Sequence, residues 1–178
     1  MKITLRFILA CALMTAGLTR PTFASQTSQP KPLQEQVRKE LATIPYLSVF
    51  DDLYFSVDNG AVTLMGAVTQ PFLKNDAERS VRHLPGVTSI VNQIEVLPLS
   101  SFDDNIRLRT LRSLERTGSL YRYFLSVNPS IRIVVKNSHV TLDGFVANPA
   151  DSQLANIAAN QVPNVFSVTN NLRLETRK

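Results

Sequence analysis

Val57-Asp58-Asn59-Gly60-Ala61-Val62-Thr63-Leu64-Met65-Gly66-Ala67-Val68 consists of two alternating apolar runs hinged on Asn59-Gly60, and it reads as a β-hairpin. Asn59 and Gly60 both accept positive φ, which a two-residue type I′ turn requires, and that turn fixes the register of the flanking strands. Val57 then faces Val62 and Phe55 faces Leu64. These four share one side of the pleat, while Tyr54, Ser56, Thr63 and Met65 share the other, so one face is buried and one stays partly wet.

The pattern returns as Val135-Lys136-Asn137-Ser138-His139-Val140-Thr141-Leu142-Asp143-Gly144-Phe145-Val146, with Val140 standing 140 − 62 = 78 residues after Val62. The same offset carries Pro71 to Pro149, Ala77 to Ala155, Pro85 to Pro163, Val87 to Val165 and Asn92 to Asn170. Agreement over so long a stretch without a gap is an internal duplication. Pairing Val135 with Val140 also sets Arg132 opposite Asp143, a favourable cross-strand pair.

Outward from the first hairpin, Val37, Leu41 and Ile44 make one helical stripe that Pro45 closes, and 46–52 connects it to the strands. Pro71 suits a first helical turn, and Leu73, Ala77, Val81 and Leu84 form a second stripe ending at Pro85-Gly86. A third strand is predicted over 87–96, with Ile90, Asn92, Ile94 and Val96 on one face. The linker 97–101 leads to Asp103-Asp104, which can cap the next helix and complement its dipole. That helix aligns Leu108, Leu111 and Leu114, and Asn148 is a suitable N-cap for the last helix. A strand, a helix and another strand form a crossover that favours parallel pairing, whereas the hairpin is antiparallel. The expected class is α+β: two tandem α-β-β-α-β modules, each a three-stranded mixed sheet with two helices on one face.

Residues 1–24 read as a secretory signal, with Lys2 and Arg6 before an unbroken apolar run at 7–14 and Thr22-Phe23-Ala24 resembling a cleavage site. The run is too short for a stable membrane span. An alternative makes Cys11 a lipidated residue, although Leu9 suits that signal poorly. Plain cleavage removes Cys11, the one cysteine, and no internal disulfide is available. Residues 25–32 form a polar leader, 33–98 a first domain and 102–176 a second. Losing Lys2, Arg6 and Arg20 lowers the formal charge from +5 to +2, which weakens a nucleic-acid reading. What remains is uneven: 31–98 holds six basic and eight acidic residues (−2), and 99–178 holds ten and six (+4).

Asn59-Gly60-Ala61-Val62-Thr63-Leu64-Met65-Gly66, followed by Leu84-Pro85-Gly86-Val87 and Val91-Asn92, resembles the BON domain, named for osmotically inducible and nodulation proteins. The resemblance covers nearly all of 33–175 and implies non-enzymatic attachment to phospholipid or other envelope surfaces. The family's usual glycines fall on Gly60, Gly66, Gly86 and Gly144. Ser138 and Asn164 depart from the pattern. Asn137-Ser138 is a poorer type I′ pair than Asn59-Gly60, so the second hairpin is expected to turn differently. Gly66 and Gly144 mark a bulge or a close backbone approach.

No catalytic motif, phosphate-binding loop or zinc spacing is present, and the chain reads as a non-enzyme without cofactor, metal or small-molecule substrate. His83 and His139 lie in different repeats, and a metal site needs several convergent donors. Asp51-Asp52 and Asp103-Asp104 read as caps or solvated pairs. Asn92 and Asn170 read as inward amides that satisfy backbone groups nearby. Arg109, Arg112 and Arg116 share one helical face, with Arg122 close behind. Such a face is commonly just solvated; the sharper expectation is contact with an anionic membrane, Tyr121, Tyr123 and Phe124 seating at the interface. The expected role is therefore a periplasmic module, peripheral on a membrane, that binds anionic phospholipid mainly through its second domain. The alternative is a scaffold for envelope proteins.

Overall fold

The computed structural model describes residues 32–175; the signal-like segment and the leader up to residue 31 lie outside the described residues. The first hairpin forms as its turn dictates. Strands β1 (Asp52–Asp58) and β2 (Ala61–Val68) pair antiparallel, Val57 opposite Val62 and Phe55 opposite Leu64, with Asn59 and Gly60 at φ 47° and 86°.

Helix α1 (Leu33–Ala42) buries Val37 and Leu41 and ends one residue before Thr43, so Ile44 reaches the core from beyond the helix end. Helix α2 (Pro71–Arg82) starts on Pro71 and buries Leu73, Ala77 and Val81. The chain then crosses to β3 (Ser89–Asn92) and β4 (Glu95–Val96), both parallel to β2. The single strand expected over 87–96 is thus split. Gln93 N still donates to Leu64 O (2.8 Å), but Ile94 N turns to Asn92 Oδ1 (3.2 Å) while the Ile94 side chain enters the core.

The second module repeats the order with α3 (Ser101–Arg116), a 3-10 turn (Leu120–Phe124), β5 (Ile131–Lys136), β6 (His139–Val146), α4 (Pro149–Asn160) and β7 (Ser167–Leu174). The β5–β6 pair is antiparallel, with Val135 opposite Val140, and β6–β7 is parallel. Asn148 caps α4, its Oδ1 accepting from Asp151 N at 2.9 Å. Each sheet is mixed and carries two helices on its apolar side, enclosing one core per module.

Gly66 and Gly144 occupy the same place in the two modules, at φ 115° and 121°. A Cβ there would collide with the carbonyl oxygens of Asp52 and Ser130 respectively. Only glycine admits that approach.

Three expectations need correction. The inward row of α3 is Ile106, Thr110 and Leu114 with Arg107, while Leu108 is exposed and Leu111 only partly buried. A polar residue can sit inward where a partner waits: Arg107 Nη2 donates to Val135 O (2.7 Å) and Nη1 pairs with Asp104. Secondly, the cap of α3 is Ser100, whose Oγ accepts from Asp103 N. The Asp103 carboxylate instead accepts from Asn137 N and Ser138 N, each at 2.9 Å. Thirdly, Asn137 and Ser138 lie at φ 52° and 66°, so the second hairpin turns as the first does. Asp103 holds both turn amides in place, which offsets the strain of a serine in that conformation.

The modules are clasped. Val49 and Phe50, from the connector before β1, pack against the second module's core. Ile133 N donates to Val49 O (2.9 Å), Arg132 Nη1 to Ser48 O (2.8 Å), and Lys136 pairs with Glu95. Arg132 does stand opposite Asp143, yet its guanidinium bonds to Ser48 and Asn128. Asp52 lies among these groups, and its carboxyl is pushed up to about 6, first by burial and then by Asp143, against the pull of Arg132 and Arg173.

Candidate functional site

In each module a groove runs between the first helix and the C-terminal end of the second. The duplication puts His83 of one groove where Gln161 lines the other. Their volumes are similar, about 420 and 450 Å³. Ser113 Oγ donates to Ala158 O (2.8 Å) and joins the two helices at the second groove's floor.

The side chains differ. The first groove is lined by Glu40, Asp76, Arg79 and His83, and Asp76 pairs with Arg79. The second is lined by Arg109, Arg112 and Arg116 with Gln161, Val162 and Pro163, and no acidic residue faces them there. All three arginines are exposed, and none has a hydrogen-bond or ion-pair partner among the described residues. Three unneutralised guanidiniums over two helical turns make a local field that attracts anions.

Spacing along the sequence groups Arg122, Tyr121, Tyr123 and Phe124 with this stripe, and the structure separates most of them from it. Tyr123 is buried, its hydroxyl donating to Asp151 Oδ2 and accepting from Ala147 N (2.9 Å). Arg122 pairs with the same carboxylate and with the Tyr123 hydroxyl. Burial acts to raise the Asp151 carboxyl, but hydrogen bonds from Tyr123 and Arg122 outweigh it and hold the group below the usual range. Phe124 packs on the core, and only Tyr121 is half exposed. A 3-10 turn points neighbouring side chains in different directions, and spacing along the sequence does not reveal which points inward.

An aromatic residue outside the expected set lies at the other end of the stripe. Phe102 is half exposed and lines, with Asn105, Arg109 and Pro163, a recess adjoining the arginine groove. Its place seven residues before Arg109, two helical turns away on the same face, is the signal that finds it.

The remaining candidates are structural. Asn92 Nδ2 donates to Lys74 O (2.9 Å) and Asn170 Nδ2 to Ser152 O (3.0 Å), the same bond in both copies. Asp51 is buried and accepts from the backbone and hydroxyl of both Ser48 and Thr69. His139 Nδ1 meets Ser167 Oγ at 2.7 Å, and His83 is the exposed cap of α2. Among the described residues no group of three or more His, Cys, Asp or Glu could hold a metal ion, and no helix is long and apolar enough to cross a membrane.

The BON domain profile matches residues 31–98 and 103–176. No curated protein gives a significant match. Two solved structures of CdsD, a structural protein of the type III secretion system of Chlamydia trachomatis, show some likeness. The first, of its C-terminal domain, is 11% identical with a TM-score of 0.30, covering 83% of this chain and 99% of that one. The second is 13% identical with a TM-score of 0.28, covering 81% and 92%. Scores this low carry no functional argument, whereas the domain match spans most of the chain and coincides with the duplicated α-β-β-α-β order. The chain belongs to the BON domain family, with two copies of the module in tandem.

Proposed function

We propose that this chain is a non-enzymatic module of the cell envelope that binds anionic phospholipid surfaces mainly through its second BON domain, in support of envelope integrity or the stress response. BON domains as a family are associated with envelope and phospholipid surfaces and are generally non-enzymatic. The reading places the mature protein in the periplasm, peripheral on a membrane. The observation that carries it is the contrast between the grooves: Arg109, Arg112 and Arg116 stand unpaired in the second, whereas the first is lined by Glu40 and by Asp76 paired with Arg79. Arginines near an anionic leaflet act together, and three correspond to roughly a hundredfold in affinity. Arg122 is engaged with Asp151 and adds little.

The test replaces Arg109, Arg112 and Arg116 with glutamate and measures sedimentation with vesicles of phosphatidylglycerol and phosphatidylcholine at low salt. Binding should fall at least a hundredfold with the circular dichroism spectrum unchanged, since Ile106, Thr110 and Leu114, which seat α3, are untouched. The parent's own binding should weaken as salt screens the charges. A folded triple variant that binds like the parent sinks the reading and leaves the scaffold for envelope proteins in its place.

A further inference from the structure

We infer that Leu154 and Ile157 of α4, with Phe102 of α3, enter the acyl region of the bilayer beside the arginine groove, so that both helices of the second module lie against the membrane. The inference rests on the lipid-binding reading above and adds the apolar half of the contact.

The duplication makes the comparison direct. Leu154 and Ile157 stand where the first module has Asp76 and Arg79, which pair with each other on the surface of α2. Both replacements are apolar, and both stay in solvent, 38% and 53% exposed. Packing within the module does not call for them. The inward face of α4 is Ala155, Ala158 and Ala159, and those three are fully buried.

Position links the pair to the groove. Leu154 and Ile157 precede Gln161 by seven and four residues, so the three share one side of α4, and Gln161 lines the arginine groove. Ser113 ties α3 to Ala158 on that same flank.

Charge points the same way. Exposed α2 carries Lys74, Asp76, Glu78, Arg79 and Arg82, whereas the one charged residue of α4 is Asp151, buried and bound to Arg122. A surface without charges meets a bilayer interior without the cost of desolvating them, and exposed leucine and isoleucine gain by leaving water. The occupant that satisfies an uncharged helix face bearing exposed Leu154 and Ile157 beside a row of free arginines is a membrane with anionic headgroups. Phe102, at the far end of the same row, supplies a further exposed apolar ring for the acyl boundary.

Two variants of the full exported chain test this. The chain contains no tryptophan, so Ile157→Trp introduces a single tryptophan, excited selectively over the tyrosines, on the face in question. Its emission should shift to the blue on adding phosphatidylglycerol vesicles and should be quenched by lipids brominated on their acyl chains. The second variant, L154D/I157R, rebuilds the first module's ion pair with core residues unchanged. It should bind about tenfold more weakly at low salt and lose the residual binding that the parent keeps at about 0.5 M salt, where only the apolar contribution survives. If the parent binds vesicles while the Ile157→Trp emission stays at its aqueous position, or L154D/I157R binds like the parent at both salts, the inference fails and the arginine reading stands. If the parent ignores anionic vesicles altogether, both fall, and a protein partner becomes the occupant of this face.

Discussion

The two helix–helix grooves share volume and position, yet one mixes acidic and basic side chains, with Asp76 paired to Arg79, while every charged side chain lining the other is an arginine. Duplication preserved what the fold requires. The glycine under each hairpin, the amide that bonds the second helix and the turn conformation are the same in both copies. It left free what faces solvent, and there the copies differ, with an ion pair, Asp76–Arg79, in one and an apolar pair, Leu154 and Ile157, in the other. Function is therefore to be sought in the residues that differ, and stability in those that agree.

That division can be tested on the shared elements first. Gly66→Ala and Gly144→Ala should each cost about 3–4 kcal/mol, from strain at positive φ and a clash with a backbone carbonyl, and the two losses should match. Urea unfolding of each variant measures this. A loss confined to one module would break the claim of a common scaffold.

The next largest effect lies where the copies differ beneath the surface. Asp52 stands at the position of Ser130 in the second module, and its carboxyl is raised from 3.8 to about 6 by burial and then by Asp143. The folded protein therefore holds this proton more tightly than the unfolded chain does. Asp52 ionisation should lower stability as pH rises from about 4 to about 6, by at most about 3 kcal/mol for a shift of this size. Asp52→Ser, which copies the second module, should flatten the stability profile in that window. Asp151 works in the opposite direction: its contribution is lost only as pH falls below 3.8, through its depressed folded-state value. Thermal melts between pH 4 and 7 check the sign, and a profile in Asp52→Ser as steep as the parent's would exclude Asp52 as its source.

The smallest effect concerns the turns. Asp103→Ala should cost about 2 kcal/mol because two amides of the second hairpin lose a charged acceptor. Adding Ser138→Gly, the first module's choice, should restore about 1 kcal/mol by relieving the positive φ. If the glycine restores nothing, Asp103 does not compensate for the serine.

Sequence alone determined the hairpin registers, the order of elements, the duplication and the exposed arginine row. These depend on local rules: Asn59-Gly60 fixes its own turn, alternation fixes which residues share a face, and a stripe of three arginines stays on one side of any helix. Only the tertiary structure decided the phase of α3, in which Arg107 and Thr110 lie inward and Leu108 outward. It also decided that Tyr123 is a core residue bound to Asp151, 28 positions away, and that Asp103 serves a turn 35 positions away. The connector carrying Val49 and Phe50 was legible as a link into the first hairpin, but not as part of the second core. A polar side chain is tolerated inside, or an apolar one outside, according to which partner the folded chain brings to it. Such partners come from distant elements, and the spacing of residues along one helix holds no record of them.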